Sequence, residues 1–233
     1  KFLKVSQIGG DLAGLFFPRV CLECERLLLR EQQVLCWVCR AEVPCCEFSY
    51  HRGNRLEELF YGRVNIKAAT SYFYFKKSGI VQGLMHNLKY KGRQDVGNWV
   101  AEMLAEEMIE SGRFSTIDVV VPVPLHPKKK RKRGYNQVSQ FAKFLADGLG
   151  AVYAEDALIR NRDDSSLTRK NRVERSEILT RAFSIPDSNG LTGKHVLLVD
   201  DIITSGSTLE ACAKIILKLP DSEVSLASMA FTL

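Results

Sequence analysis

An α/β fold on a largely parallel sheet is what the sequence predicts, and three observations carry the prediction. The run Val196 to Val199 is wholly apolar, ends in Asp200 and Asp201, and leads through Thr204-Ser205-Gly206-Ser207-Thr208 into a helix-like stretch from Leu209 to about Leu219. A second apolar run, Ile117 to Val123, ends among prolines. Strand-like and helix-like segments alternate over most of the chain, the signature of parallel strands joined by helical crossovers.

The elements follow in order. Residues 1–17 carry Phe2, Val5, Ile8, Leu12, Leu15 and Phe16 among polar positions and stop at Pro18, which suits a short amphipathic helix packed on its own protein or lying on a membrane surface. Residues 18 to about 48 are cysteine-rich, and residues 49–66 connect them to the main domain. Ala68 to Phe75, with its aromatic residues, is the first expected strand. Residues 79–90 and 94–110 are expected helices, the second with Val96, Val100, Met103, Leu104 and Met108 near helical spacing. Residues 135–149 are a third, with Val138, Phe141, Ala142, Leu145 and Leu149 on one face. A polar stretch to about Thr180 precedes a short strand near Phe183, the acid-pair strand, its helix, and a last strand from Val224 to Phe231. The expected division is residues 1–60 as N-terminal segment and metal module, and 61–233 as the main domain.

Composition bounds the function. The chain has 233 residues, 45% of them hydrophobic, and a net charge of +6. That size supports one α/β domain with a small appendage. No apolar run is long enough to span a bilayer, and no secretory signal is visible, so a cytoplasmic protein is expected. The charge permits an anionic ligand, nucleic acid or an anionic membrane surface and chooses none of them.

Six of the seven cysteines lie between Cys21 and Cys46. Cys21-x2-Cys24 and Cys36-x2-Cys39 form two knuckles with eleven residues between them, a spacing that suits four thiolates around tetrahedral zinc. With every position filled by protein, the zinc would be structural. Cys45 and Cys46 are adjacent and lack knuckle spacing. They read as core or spare thiols, with replacement of one ligand left open. Cys212 reads as a small buried residue.

Ligand chemistry concentrates at the acid-pair strand. Ligands of open α/β sheets bind outside the carboxyl ends of strands, where Asp200 and Asp201 could accept hydrogen bonds from neighbouring sugar hydroxyls. The loop from Thr204 to Thr208 offers backbone N–H groups and hydroxyls, Gly206 permits close approach, and the following helix N-terminus favours an anion. One ligand with a diol and a phosphate would satisfy both halves. The arrangement resembles the 5-phosphoribosyl 1-diphosphate (PRPP) site of type I phosphoribosyltransferases. The resemblance implies that Asp200 and Asp201 hold the ribose hydroxyls and that Thr204, Ser205, Gly206, Ser207 and Thr208 hold the 5′-phosphate. It also implies the fold of that family, here with a small N-terminal four-cysteine module.

A second constellation narrows the resemblance. Pro122-Val123-Pro124-Leu125-His126-Pro127 leads into six cations, Lys128 to Arg133, and then Gly134-Tyr135-Asn136-Gln137. Six cations in a row are expected to form a solvated loop, which could stabilise a departing pyrophosphate or bind a nucleic-acid backbone. With Leu88-Lys89-Tyr90-Lys91-Gly92 and the cysteine knuckles, the chain is similar to the ComF family, competence-associated phosphoribosyltransferase-like proteins of bacteria. One departure stands out: Leu167 and Ile178 fall where that family carries amide side chains, among the arginines Arg169, Arg172 and Arg175.

The resemblance implies phosphoribosyl transfer to an unspecified acceptor. Mg2+ would be held mainly by PRPP oxygens and water, and Pro124, Leu125, Lys132, Arg133, Tyr135 and Asn136 would meet the pyrophosphate. The expected catalytic residues are Asp200 and Asp201. With 233 residues and Lys1 at the start, glutamine-dependent amination by this chain alone is not expected. The alternative is a non-catalytic factor that binds PRPP or single-stranded DNA during DNA uptake. It would act beside a DNA-uptake translocase at the inner face of the cytoplasmic membrane, with peripheral membrane association. Against it, no aromatic stacking platform is interleaved with the basic residues.

Overall fold

The computed structural model describes residues 18–161, 182–186 and 190–232, with the side chains of Pro127 and Lys129 excepted. The expected helix at 1–17, and Leu167, Arg169, Arg172, Arg175 and Ile178, lie outside the described residues. In chain order the elements are α1 (Trp37–Ala41), a 3-10 turn (Phe48–Tyr50), α2 (Arg55–Glu58), β1 (Ala69–Phe75), α3 (Ile80–Tyr90) and α4 (Asp95–Ser111). Then come β2 (Val119–Pro122), α5 (Pro127–Arg133), α6 (Gln137–Leu149), β3 (Val152–Tyr153), β4 (Ile159–Arg160), β5 (Phe183–Ser184), β6 (His195–Ile203), α7 (Ser207–Ile216) and β7 (Glu223–Thr232).

The main sheet has the strand order β1-β7-β6-β2-β3, and every pairing in it is parallel. Parallel strands need crossovers, and the helices that supply them cover both faces. The apolar run of β6 is the direct result. Leu197 and Val199 pack into a core with Leu84 of α3, Val100 of α4 and Phe141 of α6. Val196 and Leu198 pack into a second core with Leu209, Cys212 and Ile216 of α7 and with Leu56 and Phe60.

Residues 48–60 therefore serve the second core as well as linking segments. Asn54 caps α2 by accepting from Leu56 N and Glu57 N, while its Nδ2 donates to Phe48 O, His51 O and Ala69 O. Arg113 is ion-paired with Glu57. The cysteine-rich segment packs on the opposite face. Val34, Leu35 and Val43 share the core of α3 and α4, and the Arg40 guanidinium lies over Trp37 and Trp99 at 5.7 and 5.9 Å. Residues 44–46 run along the outer edge of β1, with Cys46 N donating to Tyr72 O and Tyr74 N to Pro44 O.

One expectation is corrected. The cationic run is a helix, α5, and not a loop. Proline opens it, the His126 ring accepts from Lys128 N, and Gly134 at φ 80° closes it. Lysine and arginine are good helix formers, and those end signals outweigh the like-charge repulsion along its length. A two-stranded antiparallel sheet, β4 with β5, flanks α7. Its β5 strand covers the expected short strand near Phe183.

Candidate ligand site at the tip of β6

The site begins with a mismatch in strand length. The β2–β6 ladder ends at Pro122↔Val199, while the β6–β7 ladder continues to Ile203↔Phe231. Asp200 and Asp201 therefore sit on the last part of β6, still paired to β7 but past the end of β2. A crevice of about 180 Å³ opens there, and both carboxylate residues line it.

Successive residues of a strand point to opposite faces, and the two acids meet different neighbours. Asp201 faces α3 and α6. Its Oδ2 accepts from Gln137 Nε2 at 2.6 Å and lies 2.9 Å from Lys89 Nζ. Its Oδ1 accepts from Ile202 N at 2.6 Å, and the residue is buried. Asp200 lies toward α7: burial first, and then its charge, push the Cys212 thiol up, so Cys212 stays a neutral core residue. Asp200 Oδ1 accepts from Asp201 N.

The loop Thr204–Thr208 wraps a small hollow of about 40 Å³ that shares Asp200 and Thr208 with the crevice. Thr204 and Ser205 are exposed, and Gly206 caps α7 with φ 69°. Arg63 braces the loop from behind. It donates to Ser205 O at 2.9 Å and to Glu210 Oε2 at 2.5 Å, over the Phe60 ring. Burial disfavours the charged form of Glu210, but hydrogen bonds from Lys214 and Arg63 outweigh it and hold that carboxyl below its ordinary range.

The other wall comes from the β2–α6 connection. Pro124, Leu125, His126, Arg133 and Asn136 line the crevice, whereas Lys132 and Tyr135 do not. Asn136 caps α6 through Val138 N and donates to Val123 O, which fixes the start of α6 to the end of β2. Tyr135 reaches the Leu88 carbonyl, and Arg133 lies 5.4 Å over Tyr90. Tyr135 and Arg133 thus bind the β2–α6 connection to the end of α3. Lys89, Gln137 and Arg160 line the crevice without having been singled out as site residues from sequence. Lys89 and Gln137 each stand in a segment quoted above, but only the folded chain reveals their common partner, Asp201.

The four knuckle cysteines converge. The sulfurs of Cys21, Cys24, Cys36 and Cys39 lie within 4.8 Å of one another, and those of Cys24 and Cys36 are 3.6 Å apart. A tetrahedral site with bonds of about 2.3 Å has ligand atoms about 3.8 Å apart, so this cluster can hold a metal ion. Burial opposes ionisation of Cys21, but backbone N–H groups of Cys24, Cys36 and Glu23 outweigh it and bring the thiol down to about 6. Among the described residues Cys45 and Cys46 take no part in the cluster.

A larger hollow of about 780 Å³ lies between residues 52–68 and Arg113, and it contains none of the expected site residues. Three of its four cations are held in ion pairs, Arg63 by Glu210, Lys67 by Glu223 and Arg113 by Glu57. The smaller crevice, with two acids and an anion-ready loop, is the better chemical site.

The parallel sheet with helices on both faces is the setting of a phosphoribosyltransferase fold, and the family model described as phosphoribosyl transferase domain matches residues 138–230. Over most of its length the chain is similar to two competence proteins. It is 25% identical to Competence protein F of Haemophilus influenzae, covering 92% of this chain and 98% of that protein. To Competence protein ComFC of Bacillus subtilis it is 23% identical, covering 91% and 93%. DNA utilization protein YhgH of Salmonella typhi is 28% identical over 153 residues, which span 64% of this chain and 66% of that relative. Among solved structures, a glutamine PRPP amidotransferase from B. subtilis, complexed with ADP and GMP, matches with TM-score 0.42 and 22% identity, over 61% of this chain and 30% of that one. Among the described residues no helix is long and apolar enough to cross a membrane.

Proposed function

We propose that the crevice at the tip of β6 binds PRPP and that the chain is a phosphoribosyltransferase-type protein serving DNA uptake, its acceptor unassigned. The observation that carries this reading is the continuity of the acid pair, the Thr204–Thr208 loop and the α7 N-terminus around one opening. In this reading Asp200 and Asp201 take the ribose hydroxyls, with Lys89 as the resting counter-ion of Asp201. Thr204 to Thr208 take the 5′-phosphate. Pro124, Leu125, Arg133 and Asn136 face the pyrophosphate, with Lys132 and Tyr135 supporting that wall from outside the crevice.

Mg2+ bound with PRPP would screen the pyrophosphate. Few protein ligands are needed for it, because this ion keeps most of its water. The residues of the chain orient the ribose, hold the phosphate and receive the leaving charge, so no protein nucleophile is required. Zinc at Cys21, Cys24, Cys36 and Cys39 would be structural. A cytoplasmic placement fits the same reading.

Calorimetry with PRPP and Mg2+ tests it. The intact protein should bind, and Asp200→Asn/Asp201→Asn should weaken binding by about a hundredfold, from the loss of two charge-assisted contacts. Absence of binding by the intact, zinc-loaded protein would sink the PRPP reading. The second reading, a DNA-handling factor without turnover, is favoured by the exposed cations Lys128, Lys130, Arg131 and Lys132 of α5 beside the crevice. The relatives' names point the same way, one for DNA utilization and two for competence. A translocase partner and peripheral membrane contact belong to this second reading.

A further inference from the structure

Gln137 opens α6 and is only 4% exposed. Its Nε2 donates to Asp201 Oδ2, and a carboxylate only accepts, so the orientation of the amide is set. The other end, Oε1, is then a buried acceptor, and it meets no donor among the described residues. Buried acceptors of this kind are costly and uncommon in native proteins. Gln137 also lines the crevice that Lys89, Asp200, Asp201 and Asn136 share.

The surroundings say what would satisfy it. Lys89 Nζ, the cation of the same cluster, is 2.9 Å from Asp201 Oδ2. Phosphate and pyrophosphate oxygens are acceptors and cannot help. A sugar hydroxyl can: it donates to Oε1 and accepts from the spare N–H groups of Lys89. The crevice also orders the ligand. The phosphate loop lies at the α7 side, and the pyrophosphate wall at the β2–α6 side. Gln137 follows Asn136, which is tied to Val123 at the end of β2, so it belongs to the side nearest the anomeric carbon. In the proposed PRPP orientation, the hydroxyl one carbon from that centre is the one it would meet.

We infer that Gln137 reads the 2-hydroxyl of a bound pentose 5-phosphate and so selects ribose over 2-deoxyribose. The inference rests on the proposed PRPP reading and adds a specificity residue that lies just outside the matched domain segment, residues 138–230. A site built around a hydroxyl rejects the analogue that lacks it, because its own polar atoms are then left unpaired.

The test is displacement calorimetry against PRPP and Mg2+ with two probes, ribose 5-phosphate and 2-deoxyribose 5-phosphate. The wild-type protein should prefer ribose 5-phosphate by about tenfold. Gln137→Met should narrow that preference severalfold, by weakening ribose 5-phosphate more than 2-deoxyribose 5-phosphate. Gln137→Asn, which keeps the amide but shortens its reach, should do the same and serves if the methionine variant does not fold. A wild-type ratio near one, or a ratio that survives either folded variant, overturns the inference while PRPP binding stands. If PRPP itself does not bind, the underlying reading falls and takes this one with it.

Discussion

Gly206 is the residue on which the loop turns into α7. Its φ of 69° belongs to the left-handed region, and a Cβ there would stand 2.7 Å from Phe60 Cζ and 3.2 Å from Leu59 Cδ2. Gly206→Ala should therefore destabilise the fold by at least about 2 kcal/mol, from a strained backbone and an overfilled contact with a fully buried ring. Urea unfolding measures the loss, and unchanged stability would contradict the close packing of Phe60 beneath the loop. At this scale the sequence is legible where chemistry is contiguous. Asp200, Asp201 and the loop sit within nine residues of chain, so they could be read together. Lys89, Gln137 and Arg63 could not be assigned their partners, because those lie far along the chain. The Gln137–Asp201 bond spans 64 positions and the Arg63–Ser205 bond 142. Nothing local records such a meeting.

Among the elements, α5 departs most from expectation. The sequence contained its start in His126-Pro127 and its stop in Gly134, yet six like charges argued for a loop. Propensity and caps prevailed because each cation of an exposed helix can extend into water. As a helix, α5 holds Lys128, Lys130 and Lys132 exposed to solvent, Lys128 and Lys132 on one side and Lys130 on the other. If these cations meet single-stranded DNA, replacing all three with Gln should weaken binding to an oligo-dT and flatten the log–log salt slope by about 2. An unchanged slope would remove α5 from the DNA reading. The strands were easier to read. Val196 to Val199 and Ile117 to Val123 looked fully buried, and β6 and β2 are covered on both faces. The antiparallel pair β4–β5 escaped notice in part because its two-residue strands carry no period to recognise.

At the scale of the whole molecule, the cysteine cluster and the ligand crevice share a core. Leu35, Cys36 and Cys39 pack in the same cluster as Leu84, Met85 and Leu88 of α3, the helix that delivers Lys89. Removing the metal should thus be felt as a loss of stability throughout that face. Treatment with a strong chelator should release about one zinc per chain and lower Tm by roughly 10 °C or more. A protein that yields no metal and melts unchanged would refute the structural-zinc reading. A parallel sheet was predictable from alternating strands and helices, but the order β1-β7-β6-β2-β3 was not, since it depends on which crossovers pack best.

The segment that follows the last knuckle cysteine carries one more consequence. Pro44 to Cys46 occupy the open hydrogen-bonding edge of β1, and at the far margin β3 is only two residues long. Neither margin invites another chain to add a strand. The β1 margin, though, is guarded by a segment that follows Val43, which shares its core with Cys21, Cys36 and Cys39. Metal loss would then loosen the cover over Tyr72 to Tyr74, an aromatic stretch of strand edge that is a template for aggregation. Solubility, and not only stability, is what the metal would protect.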